Sequence, residues 1–296
     1  MPAAKVVVVT GASSGFGAMS VRALADSDHT VYAGMRDVGG HNADAARDLE
    51  TQAGDLRALE LDVQDDDAVA AAVNEVLARS GRIDVIVHNA GHMVLGPAEA
   101  FTPDQLAAVY DVNVLGAQRL NRAALPAMRE QAAGLLVWVG SSSTRGGCPP
   151  FLGPYFAAKA AEDALAVSYA GELIRYGIDT TIVVPGAFTS GTNHFANAGT
   201  PDDAERDRAY DAEYGQLRRE LPDRLGSLVP ADAEAGEVAD VIARVVDLPR
   251  SERPFRIHVD PSHDGSEIVC AVGDRIRTDF FHRVGIADLL PAFPSL

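Results

Sequence analysis

Short β-branched runs alternate with segments of helical length from residue 5 to about residue 185. That rhythm predicts a parallel sheet with crossover helices. Strands are predicted over Lys5 to Thr10, Thr30 to Gly34, Leu56 to Leu61, Ile83 to His88, Leu135 to Gly140 and Ile178 to Val184, with a seventh over Phe255 to Val259. Each reads as a continuous apolar run, the pattern of a strand buried on both faces. Helices are predicted from Gly15, over Ala43 to Gln52, Asp66 to Ala78, Pro103 to Glu130, and Pro154 to Tyr176. After Pro185-Gly186 the chain turns polar around one short helix, Pro201 to Leu221, so residues 187–230 read as an insertion that works as a lid. The stretch 265–296 extends past the seventh strand and ends in Phe280-Phe281 and Leu289-Leu290, pairs suited to covering a cleft or a subunit edge. Residues 1–296 are thus expected to form a single α/β domain with a helical lid insertion and a C-terminal extension.

A formal charge of −17 disfavours nucleic acid and anionic membrane as partners, because either requires a clustered basic surface. The runs Asp65-Asp66-Asp67 and Asp202-Asp203 lack the spacing of a calcium loop and read as helix starts. No metal site is expected, since Cys148 and Cys270 stand too far apart and His194, His258, His263 and His282 form no recognisable ligand set. The apolar run near the N-terminus is too short for a signal peptide, and no stretch approaches a membrane span. A cytoplasmic protein is the expectation.

Two groups of residues bring in chemistry. Between the first strand and first helix lies Thr10-Gly11-Ala12-Ser13-Ser14-Gly15-Phe16-Gly17. Its glycines permit a tight turn and close approach of a pyrophosphate, and the helix start offers unpaired N–H donors to the anion. At the tip of the second strand, Arg36 suits the 2′-phosphate of NADP, while the neighbouring Asp37 could instead bind the ribose of NAD; NADP(H) is favoured over NAD(H). The second group is Tyr155 with Lys159. Lys5 and Lys159 are the only lysines among 25 basic side chains, so a lysine one helical turn from a tyrosine marks a place where an ammonium is required. Free tyrosine titrates near 10, and a close ammonium lowers that by about three pKa units at most. With an oxidised nicotinamide beside it, Tyr155 is expected near neutrality, ready to move the proton that accompanies a hydride. A serine at the end of the fifth strand, among Ser141, Ser142 and Ser143, could hold the substrate oxygen.

These motifs together resemble the short-chain dehydrogenase/reductase family, with matches from residue 10 to about 192 and most similarity to its steroid and retinol branch. The resemblance rests on Thr-Gly-x-x-x-Gly-x-Gly, Asp62-Val63, Asn89-Ala90-Gly91, Asn113, Ser142 with Tyr155 and Lys159, and Pro185-Gly186. It implies a doubly wound Rossmann-type fold and an NADP(H)-dependent carbonyl reductase, the runners-up being an NAD-dependent alcohol dehydrogenase and a non-catalytic cofactor-binding regulator. Among the three serines it selects Ser142, and it implies that Asn113 supports a proton relay from Lys159. Gly11, Ser13, Ser14, Gly15, Phe16, Gly17, Arg36, Asp62, Val63, Asn89, Ala90, Gly91, Tyr155, Lys159, Pro185, Gly186 and Phe188 are the expected cofactor contacts. Arg145 stands where the family often has glycine, which is expected to reshape the substrate entrance. His88, before Asn89, is read as structural.

Met93, Leu95, Cys148, Pro149, Phe151, Phe188 and Phe195 follow strand tips and are expected to line an apolar pocket for a hydrophobic ketone or secondary alcohol. The resemblance also implies a homodimer or homotetramer formed through the Pro103–130 and Pro154–176 helices.

Overall fold

One parallel sheet carries all seven predicted strands in the order β3-β2-β1-β4-β5-β6-β7. They are β1 (Val6–Thr10), β2 (Thr30–Met35), β3 (Asp55–Glu60), β4 (Val85–His88), β5 (Gly134–Val139), β6 (Ile178–Pro185) and β7 (Arg256–Val259). The computed structural model describes residues 3–52, 54–188, 191–192 and 195–291, so His194 lies outside the described residues. Strand order reverses between β1 and β4, the place where an open α/β sheet leaves a crevice at its C-terminal edge.

Alternate side chains of each strand feed opposite faces. Val7 and Val9 of β1 join Leu24 of α1 (Gly15–Asp26), Leu49 of α2 (Ala43–Glu50), and Val238 and Ile242 of α9 (Gly236–Asp247). Val6 and Val8 face the other way, towards Val73 of α3 (Asp66–Ser80), Leu120 of α5 (Gly116–Glu130) and Ala166 of α6 (Gly153–Leu173). The central strands are buried on both faces as expected, but β3 is not: Asp55 and Glu60 are exposed at its ends. It is an edge strand, and charged ends there discourage pairing with another chain.

Asp65 is the N-cap of α3, its carboxylate accepting from the N–H groups of Asp67 and Ala68. Asp203 caps α7 (Ala204–Ala209) in the same way, through the N–H of Arg206. Both acidic runs are therefore helix starts. Asp65→Ala is expected to lower the unfolding free energy by about 1 kcal/mol, measured by chemical denaturation.

The predicted Pro103–130 helix is continuous but not uniform. It runs as α4 (Pro103–Tyr110), a π-helical turn over Asp111–Leu115, and α5. The stretch after β6 that the sequence suggests as a lid holds two helices rather than one, α7 and α8 (Asp211–Gly226). It is pinned to the body by a parallel bridge between Val94 and Gly199 and by Gln105, whose amide binds the backbone of Thr200 and Asp202. The C-terminal extension forms α10 (Ser266–Val284), absent from the sequence reading, as was α9. Phe280 is about half exposed and Leu289 packs over Gly171 of α6, so neither apolar pair enters the cleft. Among the described residues, no helix is long and apolar enough to cross a membrane.

Candidate active site

Thr10 closes β1 and organises the switch point. Its hydroxyl donates to the carbonyl of Val87 and accepts from the N–H groups of Asn89 and Ala90. The Asn89 amide in turn donates to the carbonyls of Thr10 and Gly11. Gly17 sits directly against this knot: a Cβ there would lie 2.3 Å from the Gly11 carbonyl oxygen and 2.5 Å from Asn89 Nδ2. Gly11 and Gly15 have φ of 65° and 54°, which side chains disfavour. Ser14 caps α1 without a side-chain bond and the first turn holds no acid, leaving the helix N-terminus available to an anion. These observations fit a dinucleotide pyrophosphate.

At the tip of β2 the Asp37 carboxylate accepts from the N–H of His41, 2.7 Å away, while the Glu60 carboxylate takes the N–H groups of Asp37 and Val38. Asp37 is thus engaged in its own turn, although its side chain is exposed, as is that of Arg36. Along the neighbouring wall, Asp62 Oδ1 accepts from the Gln64 N–H, and Val63 packs beneath Gly116.

A cavity of about 420 Å3 opens at the C-terminal edge of β4, β5 and β6. Ser142, Tyr155 and Lys159 line it together with Asn89, Gly91, Pro185, Gly186 and Phe188. The expected lining residues Met93, Cys148, Pro149, Phe188 and Phe195 are present. Leu95 and Phe151 are not: Leu95 is held by backbone bonding to Gly199, and the Phe151 ring meets Tyr214 edge to face beneath Arg218. Leu225 and Leu228 bring the insertion into the wall, and Ser262 and Asp264 arrive from the loop after β7. The last two escaped the sequence reading because no pattern ties that loop to the fifth strand. Arg145 does not line the cavity, since it turns towards Asp163, 3.7 Å away.

Ser141 and Ser143 hydroxyls bond each other at 2.7 Å, and Ser141 contributes a small lowering of the Tyr155 phenol's pKa. No described residue bonds the buried Ser142 hydroxyl, which leaves it available to a substrate oxygen. Lys159 Nζ donates to the Val139 carbonyl at 2.9 Å and to Glu162 Oε2 at 2.7 Å. An ammonium has three donors, so one remains for the cavity. Glu162 was not anticipated, although a carboxylate three residues beyond Lys159 on a helix was its visible signal.

Burial pushes the Tyr155 phenol above its usual 10; Lys159 pulls it down and Glu162 pushes it back up. In the cofactor-free protein the desolvated ring and Glu162 thus hold the phenol up against the pull of Lys159, while the expectation of a near-neutral phenol concerns the site with an oxidised nicotinamide beside it. Burial opposes the Lys159 charge, but Glu162 together with Tyr155 holds the ammonium's pKa above its ordinary range.

Asn113 lies in the π turn and is 1% exposed. Both of its amide donors are taken, by the carbonyls of His92 and Val109, and its oxygen accepts from the His92 N–H. It acts as a strut for the Gly91–His92 loop. His88 is structural: it bonds Asn121 at 2.9 Å, packs on Trp138, and burial lowers its pKa to about 4.

The model of the family described as short chain dehydrogenase matches residues 5–201. The chain is 40% identical over 183 residues to 17-beta-hydroxysteroid dehydrogenase type 1 of Homo sapiens, covering 60% of this chain and 55% of that protein. It is 34% identical over 192 residues to retinol dehydrogenase 8 of Bos taurus, covering 62% and 59% respectively. The match spans a little over half the length of these curated relatives. A solved short-chain dehydrogenase from Streptomyces avermitilis superposes with a TM-score of 0.74 at 29% identity, over 96% of this chain and 98% of that one. A metagenomic short-chain oxidoreductase in complex with NADP gives 0.66 at 26% identity, over 87% and 97%.

Proposed function

The chain belongs to the short-chain dehydrogenase family, and we propose that it is a nicotinamide-dependent oxidoreductase that reduces a hydrophobic ketone with NADPH, or runs the reverse oxidation. One observation carries this reading. Ser142, Tyr155 and Lys159 converge on a single largely apolar cavity beside the glycine loop and Pro185-Gly186. When bound, the nicotinamide supplies or accepts the hydride. The Ser142 hydroxyl holds the substrate oxygen, the Tyr155 phenol donates the proton that oxygen acquires, and Lys159 orders the phenol's surroundings. Asn113 braces the Gly91–His92 loop. Met93, Phe188, Phe195, Leu225 and Leu228 exclude water and suit a ligand of the size and polarity of a steroid or retinoid, in keeping with the names of the relatives.

Arg36 favours NADP(H), supported by the engagement of Asp37 in its own turn. Arg36→Ala is expected to weaken NADPH binding about tenfold or more and leave NADH unchanged, by fluorescence titration. An unaltered preference would remove Arg36 from the argument. Turnover itself is tested with a panel of steroid, retinoid and small aliphatic ketones and NADPH; binding of NADPH without turnover of any of them would favour a regulatory role. A homo-oligomer is part of the proposal, supported by exposed Leu106, Tyr110 and Leu115 along the α4–α5 helix.

A further inference from the structure

Glu162 is a buried acid placed one helical turn beyond Lys159. Its side chain is 3% exposed and that of Lys159 5%, with Oε2 and Nζ 2.7 Å apart. Taking a carboxylate out of water is costly even beside a cation, and the lysine already has an acceptor in the Val139 carbonyl. Two apolar residues of similar volume would stabilise α6 at least as well as this buried ion pair does. The acid therefore belongs to a pair that folding does not require, placed where proton affinity matters most.

Building on the oxidoreductase reading above, we propose that Glu162 is a positioning residue that fixes the Lys159 ammonium and offsets its charge, keeping Tyr155 protonated and biasing the site towards carbonyl reduction. In that direction the phenol O–H breaks and its proton passes to the substrate oxygen as hydride from the reduced nicotinamide reaches the carbonyl carbon; the phenolate then takes a proton from solvent. Oxidation needs the phenolate at the outset, which a negative charge behind the lysine disfavours. Burial, opposed by Lys159, raises the Glu162 carboxyl to about 7. Asp163 adds to that rise from the same helix, but its own carboxylate is turned onto Arg256 of β7 and Arg145. β5 contributes only the Val139 carbonyl, through Lys159, and Asp111 of the adjoining π turn is engaged by Arg119 and Gln64.

Glu162→Gln removes the charge and keeps the shape. In its NADP+ complex, ultraviolet difference titration against Glu162→Gln/Tyr155→Phe should place the Tyr155 phenolate about one pH unit below its wild-type position, a tenfold gain in acidity. The alkaline limb of kcat/KM for reduction should move down with it, with the substrate KM little changed. Glu162→Asp, which keeps the carboxylate, should stay near wild type. A second readout needs no turnover. A raised folded pKa gives stability that is present below the unfolded value and lost as pH rises through the folded one, so wild type should lose stability relative to Glu162→Gln between about pH 4.5 and 7. The comparison is between variants because His88, with its pKa lowered, contributes the opposite slope. A Tyr155 titration that coincides in wild type and Glu162→Gln, or an aspartate variant that behaves like the glutamine one, overturns the proposal; Glu162→Met takes the place of the glutamine variant should that one not fold. Retained turnover in Tyr155→Phe would instead sink the oxidoreductase chemistry, a separate outcome.

Discussion

Tyr155→Phe should lower kcat by about a thousandfold while leaving NADP(H) affinity and thermal stability close to wild type. The substitution removes one oxygen from a side chain that is 9% exposed and lies against the cavity. Its ring also packs with Met93, Phe101, Leu152 and Ala158, contacts that phenylalanine retains. What disappears is the proton donor. Because burial raises the phenol's pKa in the free protein, Tyr155 is fully protonated at neutral pH, as a reductive acid must be. The test pairs steady-state rates in both directions with fluorescence titration of NADPH. Near-normal rates would transfer the acid's role to another group, and Ser142 would then be the first to substitute.

Lys159→Arg should cost about a hundredfold or more in kcat despite conserving charge. The ammonium occupies a site that is 4% exposed and bounded by the Val139 carbonyl and Glu162. A guanidinium brings five N–H donors in a rigid plane, more than these acceptors satisfy, and a volume that overpacks the site by about 1–3 kcal/mol. Its charge would also sit further from the phenol. Kinetics and a melting curve separate the two effects: a lower melting temperature alone would mean that only packing suffered. Full activity would show that any cation suffices there, and the scarcity of lysine in this chain would lose its meaning.

Most of the fold was legible because each central strand is a short β-branched run and each early helix carries a start signal. Where legibility failed, the causes differ. Val238, Val241, Ile242 and Val245 of α9 do follow a helical period, but the polar texture around them hid it. α10 has the reverse problem: Ile268, Val272, Ile276 and Phe280 are exposed, so its apolar positions do not report a core. In the site, Gly11, Gly17, Tyr155 and Lys159 announced themselves through spacing, whereas Ser142 was singled out from its neighbours by the family resemblance. Ser262 and Asp264 did not, since only folding brings them to β5, and Arg145 was misjudged because its partner Asp163 lies on another element.

The π turn at Asn113 has a further effect on the geometry of one long helix. A regular helix presents a single stripe, which drifts slowly around its axis. Here the residues packed above the cleft, Val109 and Val114, are five apart, whereas beyond the turn Ala117, Leu120, Ala124 and Met128 resume steps of three and four against the sheet. The extra residue works as a phase shifter. It lets one continuous rod serve two separate cores, so that whatever rotates its first half about the turn would move the roof of the cleft without disturbing the floor.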